Sequence, residues 1–306
     1  MKQSIKDIFD YNIKVIGEMD KAIINFREQQ GDKALGYIVH SIDMVRMIIE
    51  AIVTDREYFN LVDTESMLEM LTGILEAKKN KDYILLADLL ELQLLNFLIG
   101  VQELIINKEE MAFDEELYNE NLRILKEHSE GFDSQIPGPI NTAQLLESGY
   151  RIEYTSCGLM TLAAENEGLQ FYFHTNNKVY TEAFLLARQW YRQGITTYIV
   201  YGYGLGYHIW ELHKMAPDAE ILVYEADVNV IQLACAFNSM KDLFDSDKAQ
   251  LIYDPEFTRL QDQLQAMGET GAFYVHYPSY QNVRARKGKE ILENGLPWLK
   301  TIEEGM

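Results

Sequence analysis

The stretch that decides the fold is residues 198–208, which read Tyr-Ile-Val-Tyr-Gly-Tyr-Gly-Leu-Gly-Tyr-His. A short apolar strand here runs into three alternating glycines and then into the start of a helix. Glycines let the backbone turn sharply and leave no Cβ between the chain and a ligand. The helix start offers unpaired N–H groups and the positive end of the helix dipole to a polar or anionic group. The segment therefore predicts a ligand-binding loop in an α/β domain.

Strands and helices alternate on the C-terminal side of this loop. Such an alternation implies a parallel sheet with helical crossovers, and continuous apolar runs such as residues 221–224 indicate that helices cover both faces. On the N-terminal side of the loop, period-2 patterns predict a pair of strands, and a predicted helix follows them. We therefore predict a Rossmann-like domain over residues 150–306. The predicted strands are residues 151–156, 169–175, 197–201, 220–224, 250–253 and 272–277, and the predicted helices are residues 179–192, 207–215, 228–237 and 257–267.

The first 130 residues have a different pattern. Apolar residues recur there at steps of three and four, which predicts amphipathic helices, and no proline occurs before Pro137. Asp63 or Thr64 is expected to cap the third helix. Short polar connections favour antiparallel neighbours. The predicted fold class is α + α/β, with an antiparallel helical bundle at residues 1–130, a Gly- and Pro-containing linker at 131–149 and the Rossmann-like domain after it.

Composition excludes several classes of function. The chain has 306 residues, a formal charge of −21 and 47% hydrophobic residues, as expected of a folded protein rather than a disordered one. The negative charge disfavours nucleic acid and anionic membrane surfaces as partners. The N-terminus lacks the apolar region of a signal peptide, and polar residues interrupt the apolar stretch 92–104. Cys157 and Cys235 form no C-x-x-C motif. We expect a cytoplasmic protein with no membrane span.

The acids at the strand ends bear on the identity of the ligand. Glu225 lies 19 positions after Gly206, a spacing at which an acid typically bonds a ribose hydroxyl. The dinucleotide fingerprint needs a glycine where this chain has Tyr207, which argues against NAD and FAD. The tighter G-x-G-x-G loop looks like that of class I S-adenosylmethionine-dependent methyltransferases, and this resemblance implies a place near adenine for Asp254. The candidate ligand-binding residues are Gly202, Tyr203, Gly204, Leu205, Gly206, His208, Glu225, Asp227 and Asp254.

Two structural alternatives stay open at this stage. The three glycines are equally needed if a strand and a helix merely pack closely, with no ligand between them. Glu225 and Asp227 are also typical of solvated acids near a helix start, where the dipole favours them. His174, His208, His213 and His276 all fall near the predicted ligand edge, but His208 and His213 are five positions apart and do not share a helix face. We therefore expect no metal site.

The same residues resemble a known family. Residues 202–208, together with Leu212 and residues 223–227 (Val-Tyr-Glu-Ala-Asp), are similar to the Rossmann-like region of the motility accessory factors. These bacterial proteins are associated with flagellin glycosylation and are grouped with the 6-hydroxymethylpterin pyrophosphokinase-like proteins. Residues 174–183 are similar to the segment that leads into the first α/β helix of that family, although Val179 and Tyr180 stand near the position of its usual proline. The resemblance covers about residues 150–280.

The resemblance implies an accessory role in the glycosylation of flagellin or another surface protein. Full-length members carry a further domain, to which transfer of a nonulosonic acid is ascribed. The sequence continues for only 26 residues after Tyr280, so we expect that this transfer does not carry over. The implied ligand contains a nucleoside, with S-adenosylmethionine and a CMP-type nucleotide as the candidates. The helical bundle is expected to bind a protein partner or to self-associate.

Two other function classes remain as alternatives. One is an enzyme of the methyltransferase type, or a transferase of nucleotide or glycosyl groups, for which no catalytic residue is assigned. Only four predicted strands follow Gly194, where a complete class I methyltransferase has seven. The other is a protein-interaction module that binds no small ligand.

Overall fold

The structure, a computed structural model, describes residues 2–109, 114–129, 132, 142–166, 168–244 and 246–303. It divides into two compact units. The first comprises Met1–Ala112 with Tyr154–Leu159, and the second comprises Phe113–Glu153 with Met160–Met306. The predicted fold class is confirmed, because a helical region precedes a domain with a parallel sheet. Most of the predicted linker, residues 131 and 133–141, lies outside the described residues.

The first unit is helical. Asp63 accepts hydrogen bonds from the backbone N–H groups of Glu65 and Ser66, so it is the N-cap of the third helix, as predicted. The helical run Tyr83–Lys108 contains a π-helical turn at Leu90–Leu94, which joins two α-helical segments without a break. The helices are α1 (Gln3–Arg27), α2 (Gly31–Thr54), α3 (Thr64–Asn80), α4 (Tyr83–Leu89) and α5 (Leu95–Lys108).

The core of the first unit holds one polar pair. Asn12 on α1 donates from Nδ2 to the Gln102 side-chain oxygen on α5 at 2.8 Å and to the Leu98 carbonyl at 2.7 Å. Gln102 in turn donates to the carbonyl of Phe9 at 3.3 Å. Both side chains are fully buried among aliphatic residues. Because a buried amide that loses its partner is costly, this pair helps to specify how α1 and α5 pack.

The continuous helical run Tyr83–Lys108 is longer than residues 92–104, the apolar stretch of the sequence. By length and composition alone it is sufficient to cross a bilayer, with a mean hydropathy of 1.9 in its most apolar window, of which 39% is buried. The core helix of a soluble protein passes the same test. Within this run, the Gln102 side chain is buried and hydrogen-bonded to α1.

The second unit contains all of the strands except one residue at the end of the first. Its helices are α6 (Glu115–His128), α7 (Thr142–Glu147), α8 (Val179–Trp190), α9 (Tyr207–Met215), α10 (Val228–Phe237), α11 (Lys241–Phe244), α12 (Thr258–Ala266), α13 (Tyr277–Gln281), α14 (Arg286–Gly295) and α15 (Trp298–Glu303). Its strands are β1 (Tyr150–Tyr154), β2 (Met160–Asn166), β3 (Leu169–Tyr172), β4 (Thr197–Tyr201), β5 (Glu220–Glu225), β6 (Ala249–Tyr253) and β7 (Gly271–Val275).

The central sheet has the order β6-β5-β4-β7, and each neighbouring pair is parallel. The chain passes from β4 outward to β5 and β6 and then returns to the other side of β4 as β7. The strand order therefore reverses between β4 and β7. In open α/β sheets, ligands bind at such a switch point, outside the carboxyl ends of the strands.

Two details differ from the sequence prediction. Residues 151–156 and 169–175 do not pair with each other, because β2 lies between β1 and β3 in a three-stranded sheet. The sequence of β2 was not recognised as a strand, since five successive buried residues give it no alternation and two of them are alanines. In addition, α6 lies within residues 1–130, the predicted bundle, but falls in the second unit and packs against α10.

Candidate functional site

The glycine loop, residues 202–206, connects β4 to α9 at the switch point. Gly202, Gly204 and Gly206 have φ values of 99°, 53° and 81°. Residues that carry a side chain rarely adopt such positive φ values, so the backbone path of the loop requires glycine. The predicted strand, glycine loop and helix are therefore present in the predicted register.

Side chains of the same chain fill the space beside these glycines. A Cβ added at Gly202 would lie 2.3 Å from the Cβ of Ser279, and one added at Gly204 would lie 2.8 Å from Nε2 of His174. At Gly206 the neighbour is the hydroxyl of Tyr203, at 2.4 Å. Protein atoms therefore occupy the position that a Cβ would take at each of the three glycines, and the nucleoside ligand stays a prediction.

The polar backbone groups of the loop are also bonded within the chain. The N–H of Tyr203 donates to Glu225 at 3.0 Å, and the N–H of Leu205 donates to Nε2 of His174 at 2.9 Å. The carbonyl of Gly202 lies 3.1 Å from Nε2 of His208, and the carbonyl of Leu205 accepts from Asn238 at 2.6 Å.

Glu225 follows this pattern. Its carboxylate is buried at the end of β5 and accepts hydrogen bonds from the backbone N–H groups of Tyr203, Ala226 and Asp227. Burial, with the nearby charge of Asp227, raises the pKa of Glu225 to about 7, even though the backbone hydrogen bonds favour the charged form. The side chain predicted to bind ribose thus anchors the loop to the strand.

We predict that Glu225 makes the second unit less stable as the pH rises. The folded state holds this proton up to about pH 7 and the unfolded chain releases it near pH 4.5, so the stability contributed by the protonated form is lost between these values. Relative to Glu225→Gln, wild type should lose about 3 kcal/mol of unfolding free energy across that window. Urea unfolding at several pH values measures this difference. Glu220→Gln, at an exposed position of the same strand, is the control, and parallel pH profiles for wild type and Glu225→Gln would contradict the prediction.

Asp227 and Asp254 each have a structural partner. Asp227 caps α10 through the N–H of Asn229, and its other oxygen accepts from the hydroxyl of Tyr150 and from the side-chain amide of Asn282 at 3.0 Å. Asp254 accepts from the backbone N–H groups of Thr258 at 3.1 Å and Leu260 at 2.9 Å, at the start of α12. Both acids were predicted to be ligand-binding residues, and both carboxylates contact their own chain.

Three buried histidines gather beside the loop. The rings of His208 and His276 are 4.4 Å apart and 14° from parallel, and the ring of His174 is 5.2 Å from that of His276. Burial, with neighbouring His174, lowers the pKa of His208 to about 3, and burial with neighbouring His208 holds the pKa of His276 well below its usual range. His208 and His276 are therefore neutral at physiological pH.

The hydrogen bonds of the three histidines indicate which ring nitrogen carries the hydrogen. Since Nε2 of His174 accepts from Leu205, its hydrogen is assigned to Nδ1, which lies 3.6 Å from Glu182. Nε2 of His208 faces the carbonyl of Gly202, so its hydrogen is assigned to Nε2 and its Nδ1 has a lone pair without a partner in the described part of the chain. Nδ1 of His276 lies 2.8 Å from the hydroxyl of Ser279.

Each of the three histidines offers one nitrogen atom, and these atoms lie within 4.8 Å of one another, which is close enough for a shared metal ion. The rings of His208 and His276 are stacked on each other, and Nε2 of His208 faces the carbonyl of Gly202. Nε2 of His174 is already engaged by the loop. In this arrangement the histidines pack against the loop and bond to it, and the absence of a metal site remains a prediction.

The sequence pointed to part of this cluster. It assigned His174, His208 and His276 to the neighbourhood of the ligand edge, and the structure brings these three together and leaves His213 outside. It gave no role to Ser279 or Asn238, which close the loop from α13 and from the end of α10. No local pattern marks these two residues, because their contacts are made between distant segments.

Comparisons with known proteins bear on the first unit alone. Residues 3–104 match the family described as "Domain of unknown function (DUF8042)", about a third of the chain, from α1 into α5. No curated protein and no solved structure matches the chain significantly.

Proposed function

We propose that this chain is a protein-interaction module of the motility accessory factor type, which assists the glycosylation of flagellin or another surface protein and works without a nucleotide in its glycine loop. The observation that carries the proposal is the filled loop. Ser279, His174 and Tyr203 stand where a ligand would approach the three glycines. The family resemblance of residues 202–227 supports the accessory role.

Energetics favour the closed loop. A nucleoside at Gly204 must displace His174, which is buried and holds the N–H of Leu205. Leaving a buried donor without a partner costs about 1–3 kcal/mol, so the ligand must replace this bond as well as make its own. The same applies to the hydrogen bond between Tyr203 and Glu225.

One observation favours a second candidate function, binding of a nucleoside-containing ligand such as S-adenosylmethionine or a CMP-type nucleotide, with or without group transfer. Glu225 lies buried beside the loop, at the strand end where Rossmann-like proteins place a ribose-binding acid. Under this proposal His174 and Ser279 move away from the loop on binding, and Glu225 exchanges the N–H of Tyr203 for a ribose hydroxyl.

Thermal unfolding with candidate ligands separates the two proposals. For the interaction module we expect no rise in Tm with S-adenosylmethionine, S-adenosylhomocysteine, CMP, CMP-sialic acid or GTP at millimolar concentration. A true ligand present at a hundred times its Kd would stabilise the folded state by about 2.7 kcal/mol, which is easily measured. A rise that disappears in Glu225→Ala would overturn the first proposal and support the second.

The interaction itself has a direct test. The purified chain is expected to bind purified, unglycosylated flagellin in a biolayer interferometry experiment. Adding S-adenosylmethionine, CMP or the other candidate ligands is expected to leave the affinity unchanged. Failure to bind flagellin or any other substrate of the same glycosylation system would remove the accessory role.

A further inference from the structure

An open apolar groove runs along the first unit between the N-terminal half of α3 and α5. Its volume is about 560 Å³. Gln93, in the π-helical turn that precedes α5, and Asn107, on α5, mark its two ends, and this separation corresponds to about 20 Å of helix. The groove is thus long enough for about four turns of a second helix. Its apolar lining includes Met67, Met70, Phe97 and Leu104.

The lining is chemically suited to a helix. Met67 and Met70 have flexible, polarisable side chains, which adapt to the shape of a bound apolar stripe. Gly100 lies in the middle of α5, and a Cβ added there would meet nothing within 4 Å. A partner can therefore approach the backbone of α5 closely at this point.

The charge of the groove indicates which helix fits. The charged residues that line it are Asp63 and Glu103, both acidic and both exposed, and its lining contains no lysine or arginine. Glu65 and Glu69, also exposed, add negative charge on α3. An apolar groove with acidic edges is complementary to a helix that carries an apolar stripe flanked by lysine or arginine.

We propose that this groove docks a basic amphipathic α-helix of a partner protein, with apolar side chains at i, i+3, i+4 and i+7 seated on Met67, Met70 and Phe97. The inference rests on the proposed interaction function and specifies the surface through which it acts. It does not involve the glycine loop.

The test uses a fluorescently labelled helical peptide of about 15 residues, built only from leucine and lysine with leucine on one face. Wild-type protein is expected to bind it and to ignore a peptide of the same composition with the leucines scattered. Gly100→Leu should weaken binding about tenfold or more, because the new side chain occupies the groove. Glu103→Lys should weaken it as well, with an effect that shrinks as salt is added.

Two matched controls keep the result interpretable. Gly36→Leu makes the same change at another helical glycine with open space around it, and Glu76→Lys makes the same charge change at an exposed position of α3 outside the groove. Both are expected to bind like wild type. Leucine is a better helix former than glycine, so Gly100→Leu is expected to fold, and circular dichroism verifies this.

Several outcomes would overturn the proposal. Equal binding of a leucine–glutamate peptide would remove the role of charge, and normal binding by Gly100→Leu would place the peptide elsewhere. Normal flagellin binding by Gly100→Leu would contradict the groove as the docking site and would not affect the proposed interaction function. If wild type does not bind flagellin but binds the peptide, and Gly100→Leu weakens peptide binding, the interaction function is contradicted and the groove assignment stands.

Discussion

Replacing Gly202 by alanine is expected to destabilise the second unit by about 2–5 kcal/mol. This is the sum of the strain of a left-handed backbone that carries a side chain and of a steric overlap in a packed core. Gly202 has a φ of 99°, and its added Cβ would lie 2.3 Å from the Cβ of Ser279. That contact can be relieved only by moving α13. Against a typical total stability of about 5–15 kcal/mol, such a loss is large.

Two other glycines in the same unit separate the contributions. Gly194 has a φ of 89° and open space around it, so Gly194→Ala measures the backbone strain alone. Gly268 has open space and no left-handed φ, so Gly268→Ala measures the substitution itself. The expected order of destabilisation is Gly202→Ala, then Gly194→Ala, then Gly268→Ala.

Urea unfolding monitored by tryptophan fluorescence measures the three variants. If Gly202→Ala is no less stable than Gly194→Ala, the space beside the loop is not filled as described. An open loop would then restore the nucleoside-binding proposal. The same variants also serve as a check on the interaction function, which does not require the loop to bind anything.

His208→Gln is expected to flatten the loss of stability in acid. The pKa of His208 is lowered to about 3, whereas an unfolded histidine titrates near pH 6.5. Below pH 6.5 the unfolded chain therefore takes up a proton that the folded state does not, and stability falls with falling pH. By pH 4 this single group costs wild type about 3 kcal/mol.

Glutamine is the informative replacement. Its Nε2 donates as that of His208 does, so the hydrogen bond to the carbonyl of Gly202 is kept while the titrating group is lost. Glu225 contributes to the pH profile with the opposite sign and is common to both proteins, so it largely cancels in the difference. His276 leaves a residual slope in the same direction as that of His208.

The measurement is the unfolding free energy between pH 4 and pH 8. His128→Gln makes the same replacement at a histidine of α6, outside the cluster, and is the control for the substitution itself. If His208→Gln loses stability in acid as steeply as wild type does, His208 is already protonated in the folded state. The description of a neutral, buried ring would then be wrong.

Local sequence was sufficient for most of the fold. The strand, glycine loop and helix at residues 197–215 were predicted because their signals are short-range: a continuous apolar run, three glycines and a helical period. The N-cap at Asp63 was predicted for the same reason. The strand β2 was missed because its burial on successive residues comes from tertiary packing.

The sequence also predicted only part of the candidate site. Sequence located the residues of the loop and the acids at the strand ends, but spacing alone does not indicate what a carboxylate contacts. Glu225 bonds the loop, and Asp254 bonds the start of α12. A cap and a ligand contact require the same residue type at the same position, so only geometry distinguishes them.

The amino-acid sequence by itself determined a helical region followed by a parallel α/β domain, and it located the bend at residues 202–206, because periodicity and glycine act over a few neighbouring residues. Tertiary structure alone decided what lies against that bend. Ser279 lies beside Gly202 because β7, which precedes it, is the neighbour of β4, and His174 reaches Gly204 from the end of β3 in the other sheet. Neither adjacency is encoded in a local pattern. The packing of distant segments therefore decides which atoms surround the loop.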